Sequence, residues 1–420
     1  MADNGTKAVV TRVVESGGRQ ASYLETENIK VLVDDDGGMI PQLSSVQDKR
    51  QINAHWLPHF RSNSGLSYNE AEHGKFWKSS LLYNVAGTFP CAPNFGAGHI
   101  VDGLTMPAHG WSANFPWKYE KSGLDIETGT AWALSTMESP TKDMPLSFRK
   151  IDALVSGHPI HYTSLAIKNS GTKPIEINAG FHNTLGAPFL QAGCKISACA
   201  DIWTTPPPGG EFDDTTNLAM GAEFVALSKA PLKNGGKANL SIVPGMVGVT
   251  DFVTGAVPQD AHLSWSAVVN PALKLVYVTF FTGPAAANTA ETKDDIILYF
   301  NDLWMQYGGR QYSPWAAWEG APDLTFCLGL ENATAAYTYG LEYSRNIKKV
   351  LDCPATVTIP PKTEKTLYYG TLFAPYENNI LDSGIVGVSF EESKLICKST
   401  TESWIYNADP AFKILRSLKK

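Results

Sequence analysis

Several things are scarce in this 420-residue chain, and each scarcity excludes something. Charged residues make up only 18% of it, and no run of Lys or Arg is long enough to track a phosphate backbone. A nucleic-acid partner is therefore not expected. No apolar run reaches bilayer-spanning length: the most apolar region, Leu273 to Ala287, is broken by Lys274, Gly283 and Pro284, so no membrane partner is expected either. The six cysteines (Cys91, Cys194, Cys199, Cys327, Cys353, Cys397) show no CxxC spacing. The opening MADNGTKAVV lacks the basic-then-apolar order of a secretory leader, so reduced thiols and a cytoplasmic location are the expectation. No glycine-rich phosphate loop of Walker or Rossmann type occurs, which argues against a nucleotide enzyme.

What is present is the material of strands and tight turns. Aromatic residues reach 11%, with 36 glycines and 26 prolines, and the net charge of −7 is ordinary for this length. Strand and turn signals run from end to end without a linker, a repeat or a low-complexity block. One all-β domain over residues 1–420 is the expectation: a large antiparallel β-sandwich with few peripheral helices. Short strands are expected from Lys7 to Leu43, followed by an aromatic-rich surface excursion from Ser44 to His73. HYTSLAIK and IEINAGFH are expected to form a hairpin about Asn169, and two strands should meet at Asn270-Pro271. The segment DDIILYFNDLWMQYGG, with Asp at its start and Gly-Gly at its end, is the best candidate for a helix, the alternative being a strand and then a short helix.

Two stretches carry the chemistry. In GTKPIEINAGFHNTL, Ile175, Ile177, Ala179 and Phe181 alternate with Glu176, Asn178, Gly180 and His182, the period-two pattern of a strand with one packed and one polar face. In LTFCLGLENAT, Phe326, Leu328 and Leu330 alternate with Thr325, Cys327, Gly329 and Glu331. The small residues beside Glu331 leave room for a ligand, and His182 and Glu331 are expected to face each other across it. On pattern alone His182 also fits a strand-end histidine bonded to a loop carbonyl, and Glu331 an exposed edge carboxylate. His55, His59 and His73 lie near Glu70 and Glu72, but their spacing matches no standard metal site.

The order of three segments, FPCAPNFGAGHIVDGLTMPAHGW, then NAGFHNTLGAPF, then CLGLENATA, resembles the aldose 1-epimerase (galactose mutarotase-like) superfamily over roughly Leu81 to Ala335. The resemblance implies the large mutarotase-like supersandwich and a small-molecule carbohydrate as partner, with the chain a monomer or homodimer. It implies Glu331 as catalytic base and His182 as general acid, with His109, Asn94 and Asp251 as sugar contacts. Trp111, with Phe115 and Trp117, is expected to stack on the apolar face of a pyranose. One departure stands out: the family's sugar-binding Arg after the Asn is Phe95 here, which cannot replace its hydrogen bonds.

The chemistry implied is interconversion of sugar anomers. A base takes the anomeric hydroxyl proton, an acid protonates the ring oxygen, and the ring opens and recloses on its other face. A Glu–His pair suffices near neutral pH, with no metal and no cofactor expected. Two alternatives remain open: a non-catalytic carbohydrate-binding protein, which Phe95 favours, and an epimerase or lyase for an unusual sugar on the same scaffold.

Overall fold

The computed structural model describes residues 8–15, 17–287, 289–316 and 324–418. It is 45% strand and 9% helix, so the all-β reading holds. Its centre is two antiparallel sheets of eight strands each, packed face to face. The first, here the site sheet, runs Glu223–Phe224, Ile202–Thr204, Val249–Ala256, Phe300–Tyr307, Phe326–Thr334, Ala179–His182 and Phe89–Cys91, with Thr184–Gly186 also paired to Phe326–Thr334. The second runs from Lys195–Ala198 through Leu263–Asn270, Leu275–Thr282, Glu364–Pro375, Ile160–Asn169, Leu146–Val155 and Thr130–Glu138 to Lys118–Asp125.

Strand alternation decides what each face meets. Val253, Leu303, Met305, Leu328 and Leu330 of the site sheet turn inward onto Val268, Tyr277 and Phe373 of the second sheet. The outward faces are covered too. On the second sheet, Ile151, Tyr162, Trp265 and Val278 lie beneath the C-terminal segment through Tyr376, Leu395 and Leu415. Phe252, Trp304 and Cys327 on the site sheet lie beneath Trp56, Phe60, Phe89, Phe95 and Phe212. A strand buried on both faces need not alternate, and Phe300–Tyr307 has lost its alternation: Asn301 and Asp302 stand on opposite faces among apolar residues.

That loss explains the main departure from the sequence reading. DDIILYFNDLWMQYGG holds no helix: Phe300–Tyr307 is a strand, buried at all eight positions, between Val249–Ala256 and Phe326–Thr334. The hairpin expected about Asn169 does not form either. Ile160–Asn169 pairs with Leu146–Val155 and Glu364–Pro375, whereas Ile175–Ile177 pairs with Val357–Ile359. The pair about Asn270-Pro271 does form, as Leu263–Asn270 against Leu275–Thr282.

The stretch from Ser44 to His73 is only partly a surface excursion: most of residues 63–72 are exposed, but its middle is buried. Ala54, His55 and Trp56 are buried, and the His55 ring is held 2.7 Å from the Ile40 carbonyl. Its last residues begin the helix Glu70–Trp77, whose first turn is capped by the Asn69 side chain. None of the described helices is long and apolar enough to cross a membrane.

Candidate active site

His182 ends the strand Ala179–His182, and Glu331 lies on the neighbouring strand Phe326–Thr334. The imidazole Nε2 is 3.1 Å from Glu331 Oε1, and Nδ1 is 2.9 Å from the Thr184 hydroxyl. The ring is fixed by other rings. Phe89, its cross-strand partner, stacks on it at 4.7 Å and 14°, while His109 and Trp304 meet it edge-on at 4.9 and 5.6 Å. Phe95 flanks it at 6.5 Å and is fully buried. The second carboxylate oxygen, Glu331 Oε2, is buried with no hydrogen-bond partner among the described residues.

Burial sets the protonation of this pair. Removing an ion from water is expensive, so a buried acid keeps its proton and a buried imidazole sheds its own. Glu331 is pushed well above the usual carboxylate range, first by burial and then by Asp302 and Glu211. His182 is pushed well below its ordinary value, first by burial and then by His109 and Arg310. Both shifts favour the neutral pair, a carboxylic acid at Glu331 facing Nε2 of an uncharged imidazole. Asp302 stands directly across the ladder from Glu331 and is also pushed up, to about 8, chiefly by burial. The Thr254 hydroxyl nearby opposes that shift, yet neither Asp302 oxygen has a hydrogen-bond partner among the described residues.

Above the pair lies a cavity of about 210 Å³. Trp56, Trp304 and Trp315 wall it, and Arg310 enters from the loop after Phe300–Tyr307. The guanidinium lies 4.5 Å from the Trp315 ring and 5.4 Å from Trp304, and Nη2 donates to Glu211 Oε2 at 2.5 Å. This is a cation set between two aromatic rings that stand edge to face, its planar fork anchored on one side by Glu211. His109 also lines the cavity. Burial, with Arg310 second, lowers its pKa to about 4, so its ring is neutral near pH 7. Its Nδ1 accepts from the Gly96 N–H at 3.4 Å, which leaves the hydrogen on Nε2 as a donor.

The other expected contacts lie elsewhere. Asn94 is fully buried with its side chain committed: Nδ2 donates to the carbonyls of Ala97 (3.0 Å) and Pro107 (3.1 Å), and Oδ1 accepts from Leu341 N–H (2.8 Å). It braces loops and does not line the cavity. Asp251 faces the core between the sheets, alongside Val249 and Val253. It accepts from Thr216 Oγ1 at 2.6 Å and Asn217 N–H at 2.8 Å, on the opposite side of the sheet from Glu331. Trp111 and Trp117 are core residues, and Phe115 is exposed away from the cavity.

The aromatic wall comes instead from residues distant in sequence. Trp304 was hidden inside the misread helix, and Trp56 inside the supposed surface excursion. Arg310 and Glu211 sit in loops without any motif; only the tertiary fold brings them to one wall.

No protein-family model and no curated protein matches the chain in sequence. Solved structures do match in fold. A candidate aldose 1-epimerase from Klebsiella pneumoniae is 15% identical, with a TM-score of 0.59 over 87% of this chain and 83% of its own. A galactose mutarotase-like protein from Clostridium acetobutylicum is 12% identical, with a TM-score of 0.57 over 88% of this chain and 99% of its own. A candidate mutarotase from Salmonella typhimurium is 12% identical, with a TM-score of 0.53 over 88% and 94%. Two facing antiparallel sheets, few helices and these neighbours together identify the fold: this chain has the galactose mutarotase-like fold.

Proposed function

We propose that this protein is a cofactor-free sugar isomerase of aldose 1-epimerase type that interconverts the anomers of a monosaccharide. The observation that carries the reading is the 3.1 Å contact between His182 and Glu331 beneath a cavity walled by tryptophans. Moving the carboxyl proton from Glu331 to His182 yields an ionised base and a protonated acid without exchange with solvent. Hydroxyl groups of a bound sugar offset the cost of that charge separation in a dry site.

Glu331 then takes the anomeric hydroxyl proton while His182 protonates the ring oxygen, and the bond between C1 and the ring oxygen breaks. The aldehyde rotates about C1–C2 and recloses with the protons returned. Paired acid and base groups of this kind supply roughly 10²- to 10⁴-fold each. The cavity of about 210 Å³ falls below the range of roughly 300–1,000 Å³ usual for larger ligands, which supports a single sugar ring. His109 Nε2–H and the Arg310 fork are suited to sugar oxygens, and Trp304 and Trp315 to the apolar ring face.

Exchange spectroscopy by NMR on a panel of aldoses tests this. One sugar's α and β signals should exchange faster with protein present, and Glu331→Gln and His182→Asn should each abolish the effect. Retained exchange in both variants overturns the assignment. Phe95 beside the site keeps one other reading in play, a carbohydrate-binding protein. That reading requires sugar affinity that survives Glu331→Gln, with no exchange above background in the wild type.

A further inference from the structure

We propose that Tyr369 is a positioning residue for the His182–Glu331 pair, acting through a buried polar clamp on the reverse of the site sheet. The inference rests on the reading that this pair is the reacting centre. Because side chains alternate, the residues that follow His182 and Glu331 point through the sheet to its other face. Those residues are Asn183 and Asn332, both fully buried between the two large sheets. Tyr369, from the strand Glu364–Pro375 of the second sheet, reaches both: its hydroxyl accepts from Asn183 Nδ2 at 2.7 Å and donates to Asn332 Oδ1. Burial raises the phenol well above its ordinary pKa, so the donating hydrogen is retained.

The remaining groups of the clamp fall into one consistent scheme. Asn183 Nδ2 also donates to the Leu330 carbonyl at 2.9 Å, and its Oδ1 accepts from the Thr88 hydroxyl at 3.1 Å. The Asn183 carbonyl accepts from Leu330 N–H at 2.8 Å, so backbone and side chain together grip the residue before Glu331. Asn332 Oδ1 accepts from Thr279 Oγ1 at 3.0 Å, and its Nδ2 donates to Asn301 Oδ1 at 2.6 Å. Asn301 in turn donates to the Cys199 carbonyl at 2.8 Å. A satisfied buried network of this kind specifies one arrangement of the strands that form it, whereas apolar side chains tolerate sliding. Here the arrangement specified is the spacing of the two strands that carry His182 and Glu331.

The test is Tyr369→Phe, which keeps a ring in the same packing and removes only the hydroxyl. The first readout is the NMR of the His182 ring, assigned by the signals lost in His182→Asn. The second is the kcat, KM and pH profile of anomer exchange. Tyr369→Phe should shift the His182 ring nitrogen signals toward those of an unpaired imidazole. It should lower kcat about 10- to 100-fold, the scale of an ångström-level misplacement, with KM changed less than about twofold.

Thr279→Val removes the hydroxyl that bonds Asn332 Oδ1 and Ser266 Oγ but leaves Tyr369 on both asparagines, and should move both readouts in the same direction by less; it serves if Tyr369→Phe does not fold. Tyr307→Phe, which deletes a buried hydroxyl with no partner among the described residues, should move neither. Unchanged His182 signals and kcat in folded Tyr369→Phe and Thr279→Val overturn the proposal. Should the wild type exchange no anomers, the isomerase reading fails separately, and the His182 signals alone decide whether the clamp exists.

Discussion

Gly329 lacks a side chain where Glu331 needs the room: a β-carbon at 329 would lie 2.4 Å from Glu331 Oε1 and 2.9 Å from Trp304 Cβ. Two residues apart on one strand face, the glycine lets the carboxylate fold back along the strand to meet His182. The space left by small residues around Glu331 is thus taken first by the carboxylate's own reach.

Gly329→Ala is therefore expected to displace Glu331 rather than to unfold the sheet. The contact at 3.1 Å would be lost, and anomer exchange should fall by about 10²-fold. Kinetics combined with His182 ring NMR checks this; an alanine variant with full activity would show that the carboxylate has another route to the imidazole.

Asp302 gives a pH-dependent stability prediction. Its pKa is about 8 in the folded protein, above the ordinary aspartate value near 3.9, so between those limits the folded chain binds more protons than the unfolded chain. Stability from this group consequently falls as pH rises from about 4 to 8, by up to about 1.4 kcal/mol per pH unit. Asp302→Asn should match the wild type near pH 3.5 and gain stability progressively toward pH 8, as read from urea denaturation midpoints. A constant difference across that range would place the carboxyl in a wetter setting than its burial implies.

Arg310 and Trp304 are expected to govern sugar binding more than turnover. Arg310→Lys keeps the charge and loses the planar fork held beside two indoles, so KM should rise about tenfold with a smaller change in kcat. A lysine variant with unaltered KM would remove the guanidinium from the list of sugar contacts.

Trp304→Ala and Trp111→Ala should separate cleanly. The first opens the cavity wall and should raise KM about tenfold or more. The second leaves a hole in the core and should cost about 3–5 kcal/mol while leaving KM unchanged. Steady-state kinetics at a temperature where both variants are folded decides between wall and core.

How much could be read in advance depended on which physical signal each residue carries. His182 and Glu331 sit on short stretches whose alternation marks them as strands with one packed and one polar face, and alternation is a local property that the chain displays without help. The all-β class and the turn about Asn270-Pro271 were legible for the same reason. The strand Phe300–Tyr307 was not, because covering both of its faces erases the period that distinguishes strand from helix. Asn94 and Asp251, carried over from the motif resemblance, lie away from the cavity, and a buried polar side chain looks the same in sequence whether it serves a ligand or a backbone carbonyl. Only the partners, such as Pro107 and Leu341 for Asn94, tell the two apart.

The sequence by itself determined the all-β class and, through the alternation of two short stretches, singled out His182 and Glu331; their proposed acid–base roles came from the motif resemblance. The tertiary structure alone decided the 3.1 Å approach of His182 to Glu331, the burial of both, and the wall of Trp56, Trp304, Trp315 and Arg310. Those depend on distances between segments as far apart in sequence as 44 to 73 and 300 to 315, and separations in space between such segments are fixed by packing, not by any local pattern.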